Sequence, residues 1–452
     1  MSSSIPHTYR YAYASQIAAN DMGRPQLSLA TSNSDLTQPH FFDGRARAPR
    51  ELGQMLYTLS DVVRTHFFKQ IPALLDPVVT SNESLLRLEG FSGCAGVYAR
   101  VDLPRESFSG ENFGRGTTNV DFNQPMRNAL LRLRDGDDVD FAVGKDEVVL
   151  TKGGAATVEK KVKLPVRWIK GFSEVQNYQP DLDLKFEIPA PDALRFIRSL
   201  PKSSRPKLLS YAVSAGRGLR LSQRPARGAV RFSGTHRVKI LEPLLPQAKS
   251  LRVWADDESG TSAWEVILPS GGFFLMLSPE THRGFSGEGQ ALSALANPVS
   301  DDIVAAVRAQ LKWGSLIDTN YVAELLALSG NEVTRALAAL GTRGLAGYDV
   351  AAGQYFHREL PFDLERVEAM QPRLKNARKL VEAGGIQYLG QESGRERYGV
   401  PGTQTTHIVR LSGTGDDCTC PWFSRYQGQR GPCKHVLAAR IKHDLQVGEI
   451  TE

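Results

Sequence analysis

The stretch CTCPWFSRYQGQRGPCKHVLAAR, residues 418 to 440, holds three of the four cysteines in the chain. Its pattern is Cys418-x-Cys420, twelve residues, then Cys433-x-His435. Three thiolates and one imidazole satisfy the tetrahedron that zinc adopts. Pairs separated by a single residue close short chelate loops, so gripping the ion costs little further chain entropy. Gly431-Pro432 precedes the second pair, which predicts Cys433 and His435 at a helix start, where backbone N–H groups favour thiolate. Upstream, RYGV and THIVRL read as two strands of a hairpin and SGTGDD as a loop. Downstream, VLAARIKHDL reads as a helix that turns Val436, Leu437 and Ile441 to a core. His443 lies too far along that helix, about 12 Å past His435, to share the ion. His407 is either an outer partner of the site or an ordinary strand histidine, and Trp422 and Phe423 are assigned to a small local core.

Working outward, 452 residues at 41% hydrophobic and 23% charged are those of a folded protein of two to four domains. Four cysteines are too few for a disulfide framework, and clustered thiols in a reducing compartment hold metal or do redox chemistry. The amino terminus lacks a basic segment followed by an apolar one, and the strongest apolar run, near Phe273, is too short to span a bilayer. These observations predict a cytoplasmic protein with no membrane association. The net charge of +6 is uneven. Twelve basic residues and no acidic one fall between Ala193 and Leu241, whereas Ser300 to Leu360 carries five basic and seven acidic residues.

The rest of the chain reads as α+β. Leu52, Met55, Leu56, Leu59, Val62, Val63 and Phe67 recur at helical spacing after Pro49, and LLRLEGFSGCAGVYARVDL then reads as strand. Cys94 there is a buried small hydrophobe. Residues 1–118 are taken as an N-terminal α+β region and 119–298 as a central basic α+β domain. In the latter, a helix from Met126 to Leu133, another around Ala193, Leu194 and Ile197, and the segment from Arg237 each lead into strands. Helix followed by strands, repeated with a basic face, resembles sliding-clamp domains; a generic α+β domain is the other reading.

Residues 299–361 are expected to form a winged helix-turn-helix-like module. Ser300 caps a helix, NYVAELLAL is a second, and Ser329 with Glu332 is a capping box opening a third that stops at Gly344. A hairpin follows. The third helix carries only Arg335 and Arg343 in an acidic module, which favours protein docking or architecture over major-groove reading. Residues 362–385 are expected to be a linker helix, from about Leu364 to Val381, broken at Gly384-Gly385, and 386–452 a ββα finger.

Cys-x-Cys, a spacer and Cys-x-His between a hairpin and a helix resemble the SWIM zinc finger, and the run Gly431-Pro432-Cys433-Lys434-His435-Val436-Leu437-Ala438 is close to its usual second half. The resemblance covers about Tyr398 to Leu445. It implies that Cys418, Cys420, Cys433 and His435 bind a structural Zn2+ closed to substrate, in a protein that binds DNA or other proteins. The whole architecture is similar to bacterial SWIM proteins thought to work beside MoxR-type AAA+ ATPases and von Willebrand A (vWA) domain proteins, which implies those partners.

The expected function is therefore a non-enzymatic zinc protein bridging nucleic acid and protein partners. Arg217, Arg220, Arg224, Arg227 and Arg231 form a basic loop or hairpin able to track phosphates, with DNA the candidate partner. The competing reading pairs these arginines with acids such as those of DGDDVD, residues 135 to 140. The alternative function is a pure protein–protein adaptor for an AAA+/vWA complex. No GxxxxGK[ST], GxSxG or HExxH motif is present, and no catalytic residue is assigned.

Overall fold

The computed structural model describes residues 16–19, 25–28, 40–67, 77–120, 122–145, 147–160, 166–202, 209–287, 289, 291–292, 299–360, 371–412 and 415–451. A hairpin of β1 (Gln16–Ala19) and β2 (Pro25–Ser28) comes first. The first large unit contains β3 (His40–Ala46), α1 (Pro49–Arg64), β4 (Val78–Ser81), β5 (Leu85–Phe91), β6 (Val97–Pro104), β7 (Phe108–Phe113), β8 (Gly116–Asn119), α2 (Gln124–Leu131), β9 (Val139–Gly144), β10 (Glu147–Lys152) and β11 (Ala155–Lys160). After α3 (Val166–Val175) come β12 (Asp183–Pro189), α4 (Ala190–Ser199), β13 (Leu209–Ala215), β14 (Gly218–Ser222), β15 (Val230–Ser233) and α5 (Thr235–Val238). A 3-10 segment, Lys239–Gln247, then leads to β16 (Ser250–Ala255), β17 (Ser262–Leu268) and β18 (Gly271–Leu277). The order strand, helix, strands, helix or 3-10 turn, three strands thus occurs twice.

The strands form antiparallel sheets in the orders β11-β10-β9-β3-β7, β12-β16-β17-β18-β6-β5-β4-β8 and β14-β13-β15. Strands from both sides of residue 119 share the first two sheets, so the expected division at 118/119 does not separate two sheets. β6 and β18 lie edge to edge, Ala99 opposite Leu275. Alternation assigns the faces of the eight-stranded sheet. Leu88, Val101, Trp264, Val266 and Leu275 point to one core with Leu52, Met55, Leu56 and Leu59 of α1. Phe91, Tyr98, Phe274 and Met276 point to the other face, against Trp168 and Phe172 of α3. The predicted apolar row of α1 is buried through Val63, and Phe67 falls beyond the helix end. α2 starts two residues before its expected position because the Asn123 side chain accepts the Met126 N–H and fixes the cap there.

The next unit comprises α6 (Asp301–Gln310), α7 (Thr319–Leu326), α8 (Gly330–Thr342), β19 (Ala346–Asp349) and β20 (Gln354–His357), with Ile317 bridged to Tyr355. The Ser329–Glu332 capping box is formed in both directions. The hairpin docks on the second sheet face through buried charges. Arg87 donates to Asp102 at 2.5 Å and to Asp349 at 2.6 Å, Arg100 donates to the Tyr348 carbonyl at 3.1 Å, and Arg358 meets Glu89 at 2.5 Å. Burial alone would raise the Asp349 carboxyl, but Arg100 and Arg87 hold it well below its usual range.

The expected linker helix falls in part on residues 361–370, outside the described residues; α9 (Pro372–Glu382) is observed, and Gly384 and Gly385 follow it at φ +72° and +81°. The C-terminal unit is a sheet of β21 (Gln387–Glu392), β22 (Arg395–Pro401), β23 (Thr406–Leu411) and β24 (Asp417–Cys418), with α10 (Pro421–Tyr426) and α11 (Lys434–Thr451). Among the described residues, no helix is long and apolar enough to cross a membrane.

Candidate metal centre

Each ligand sits where a strand or helix ends. Cys418 closes β24, where it pairs with Val409 of β23, and Thr419 N–H continues the ladder to the Ile408 carbonyl at 3.0 Å. Cys420 is the N-cap of α10: its sulfur accepts the Phe423 N–H at 3.3 Å. Gln427 and Gly428, at φ +46° and +80°, end α10 and turn the chain back. Cys433 and His435 then lie at the start of α11, as expected, and Cys433 Sγ accepts the Val436 N–H at 3.4 Å. From α9, Arg373 holds the approach to Cys433 by donating to the carbonyls of Arg430 at 2.7 Å and Pro432 at 3.0 Å.

One ligand atom from each of the four residues lies within 4.8 Å of every other, and all four residues are buried. Cys418 Sγ and His435 Nδ1 are 4.0 Å apart. Tetrahedral zinc with Zn–S near 2.3 Å and Zn–N near 2.0 Å asks for ligand separations of about 3.5–4 Å, so the donor set fits. Backbone N–H groups aimed at the sulfurs, including Cys420 N–H at 3.4 Å from Cys418 Sγ, favour thiolates. The Cys433 thiol is pulled down to about 4, first by the hydrogen bond with Cys418, then by His435 and the Val436 N–H. Hydrogen bonding with Cys433 pushes Cys418 up, and burial pushes Cys420 up. One negative charge is easily accepted here and the next two are resisted, a penalty that a dication removes.

The surroundings settle the secondary assignments. The His407 ring lies 4.5 Å from that of His435, beside the ligand set. His443 bonds the Tyr398 hydroxyl at 2.8 Å, away from it. Phe423 and Trp422 pack half-buried on the finger core of Tyr398, Val400, Val409, Val436 and Leu437, but Trp422 also lines a cleft.

The arginine set divides. Arg217 stands beside Gly216 at the β13–β14 turn, Arg220 on β14, and Arg224 and Arg227 on the loop before β15; all four are exposed and have no ion pair among the described residues. Arg231 differs: it is half-buried with its guanidinium against Gly260. The acids of residues 135–140 pair elsewhere, Asp138 and Asp140 with Arg45 and Asp137 with Lys152. Three other cations of the acid-free stretch are engaged within the fold. Arg198 pairs with Glu242, Lys239 donates to the Ile197 and Leu200 carbonyls, and buried Arg237 donates to the carbonyls of Ser233 and Gly96.

No curated protein matches the chain. Among solved structures, the PCNA2-PCNA3 complex from Sulfolobus tokodaii is similar over 53% of this chain and 100% of that chain, at 9% sequence identity and a TM-score of 0.38, a level that decides nothing about fold or function. Residues 407–442 match the family model of the SWIM zinc finger. The C-terminal unit is therefore a SWIM zinc finger, with Cys418, Cys420, Cys433 and His435 placed to hold one structural zinc ion.

Proposed function

We propose that the protein is a non-enzymatic scaffold that bridges nucleic acid and protein partners, its zinc finger organising the carboxy-terminal docking unit. The observation that carries this reading is the hairpin of Arg217, Arg220, Arg224 and Arg227, four exposed guanidiniums without ion pairs among the described residues. Exposed cations left without an ion pair are available to phosphates, and displaced counterions supply the affinity. Four protein ligands fill the zinc tetrahedron and leave no position for a reacting water. We read residues 301–357 as a winged helix turned to architecture or protein docking, because the C-terminal half of α8 packs on α3: Ser173 donates to the Thr342 carbonyl at 2.9 Å. The doubled strand and helix order is read as clamp-like. The cell interior is the expected compartment, and the resemblance names a MoxR-type ATPase and a vWA-domain protein as partners to look for.

The adaptor reading draws on α7, which leaves Tyr321 and Leu325 exposed one turn apart, at 62% and 51%. It places the protein in the same assembly without nucleic acid, so nuclease treatment before affinity purification from native cells leaves its partners in place.

The test of the bridging reading uses the whole chain, because its sheets span the basic region. Anisotropy of labelled duplex DNA is expected to show affinity falling steeply with salt. Replacing Arg217, Arg220, Arg224 and Arg227 by Gln lowers the log–log salt slope by about 3–4, at about one unit per lost phosphate contact. Flat binding at low salt overturns the nucleic-acid half and leaves the adaptor.

A further inference from the structure

Beside the zinc ligands a cleft of about 410 Å3 opens between α9, the β22–β23 turn and the first residues of α10 and α11. That volume lies within the range of ligand sites, about 300–1,000 Å3. Arg373, Asn376, Gln404, Trp422, Lys434 and His435 contribute to its walls, and no carboxylate does. The Arg373 guanidinium lies 4.7 Å from the Trp422 ring centroid, Trp422 lies 4.9 Å from Tyr426, and Arg430 lies 4.8 Å over Tyr426. A run of cation–ring and tilted ring–ring contacts, of which Arg373 and Trp422 reach the wall, therefore borders a hollow lined by no carboxylate. Lys434 makes no ion pair among the described residues. His435 turns Nδ1 to Cys418, and its Nε2 is buried with no hydrogen-bond partner. With Nδ1 on the metal, Nε2 carries the proton and is a donor lacking an acceptor, a cost that an occupant of the cleft removes.

We infer that this cleft takes an unpaired nucleotide of single-stranded nucleic acid. Its phosphate is met by Lys434, its flat base by the Arg373 and Trp422 planes, and its acceptor edges by the His435 Nε2–H and the side-chain amides of Asn376 and Gln404. The charge alone suits any anion. Planar guanidinium and indole surfaces select one whose other half is a π-face, which an acidic peptide lacks. The site is separate from the arginine hairpin and does not depend on it, since phosphates alone are met there.

The test uses full-length zinc-loaded protein, a short labelled oligothymidylate and a duplex of matched length. Oligothymidylate is expected to quench tryptophan emission, and Trp422→Phe to remove most of that quench. Trp422→Leu and Lys434→Gln each weaken single-strand binding about tenfold, as loss of one stacked base or one phosphate contact does, with zinc content unchanged. The Gln variant of the four hairpin arginines keeps the quench while losing duplex affinity. Where Trp422→Leu loses zinc, Lys434→Gln carries the decision. Single-strand affinity unchanged in Lys434→Gln, or a quench produced by oligoglutamate and not by oligothymidylate, overturns the proposal and assigns the cleft to no ligand or to acidic peptide.

Discussion

The eight-stranded sheet buries Leu88, Val101, Trp264, Val266 and Leu275 under α1 and covers its other face with α3 and the β19–β20 hairpin, whereas the finger hides little beyond Tyr398, Val400, Val409, Val436, Leu437 and its three cysteines. Apolar burial is worth about 25 cal/mol per Å2, and units of a few dozen residues rarely bury enough to offset chain entropy. The sheet stands on area. The finger stands on a bond set, and the two should fail under different insults.

Metal removal is the largest expected effect. Structural zinc contributes about 10–16 kcal/mol of apparent folding energy in finger peptides, more than a typical domain's whole stability. Metal analysis is expected to find one zinc per chain. Chelation, or Cys433→Ser, then abolishes hydrogen-exchange protection from β22 through α11 and leaves β5, β6, β17 and β18 protected. Loss of protection in both regions at once makes the finger and the sheet one cooperative unit and ends the comparison. A finger that keeps its protection without zinc ends it from the other side.

The sheet has its own weak point, where charge replaces apolar area. Arg358 is fully buried against Glu89, which also accepts from the Tyr98 hydroxyl at 2.6 Å. Burial would raise the Glu89 carboxyl, and Arg358 and Arg87 keep it low instead. Removing one partner strands the other without solvent, so Arg358→Ala is expected to cost about 3–5 kcal/mol in urea unfolding. The double variant Glu89→Met, Arg358→Met should cost less than that single change. Equal or additive losses show that the pair does not hold the hairpin to the sheet.

Legibility in the sequence followed the range of the interaction. The finger is local: ligands, strands and helix lie within about fifty residues, so spacing alone placed Cys418, Cys420, Cys433 and His435, and the Ser329–Glu332 box is as short. Sheet order is not local. Nothing in the pattern places Phe42 opposite Val143 or Val101 opposite Phe273, and strands from opposite sides of residue 119 therefore looked like different domains. Charge counts misled for the same reason. Within the acidic residues 300–360, Asp349 and Arg358 are spent on partners 249 to 269 positions away, and Arg237, counted in the basic stretch, is buried. Among the described residues, the arginines of the stretch that stay at the surface without an ion pair are those of its hairpin and loop, Arg217, Arg220, Arg224 and Arg227.

The smallest expected effect is a dependence on pH within the module itself. Lys312 and Trp313 both adopt left-handed backbone, at φ +44° and +58°, a conformation costly for side-chain-bearing residues. His357 pins that turn: its Nδ1 accepts the Trp313 N–H at 2.8 Å, and its backbone N–H donates to the Gly314 carbonyl at 3.0 Å. Burial, then the Arg308 charge, pushes the His357 imidazole down to about 4. Glu359 stands 3.7 Å from Nε2 but in solvent, and does not offset the burial. The folded state thus binds fewer protons than the unfolded one between about pH 4 and pH 6.5, and the stabilisation, complete above pH 6.5, fades as pH falls toward 4. Protonation would turn Nδ1 from acceptor to donor and set it against the Trp313 N–H. The wild type should therefore lose roughly 1–3 kcal/mol between pH 7 and pH 4.5 that His357→Gln, with its acceptor retained and no titrating ring, does not lose. Superimposable pH profiles for the two would show that the turn is held by packing of Trp313 on the ring face, 4.7 Å between centroids, and not by the hydrogen bond.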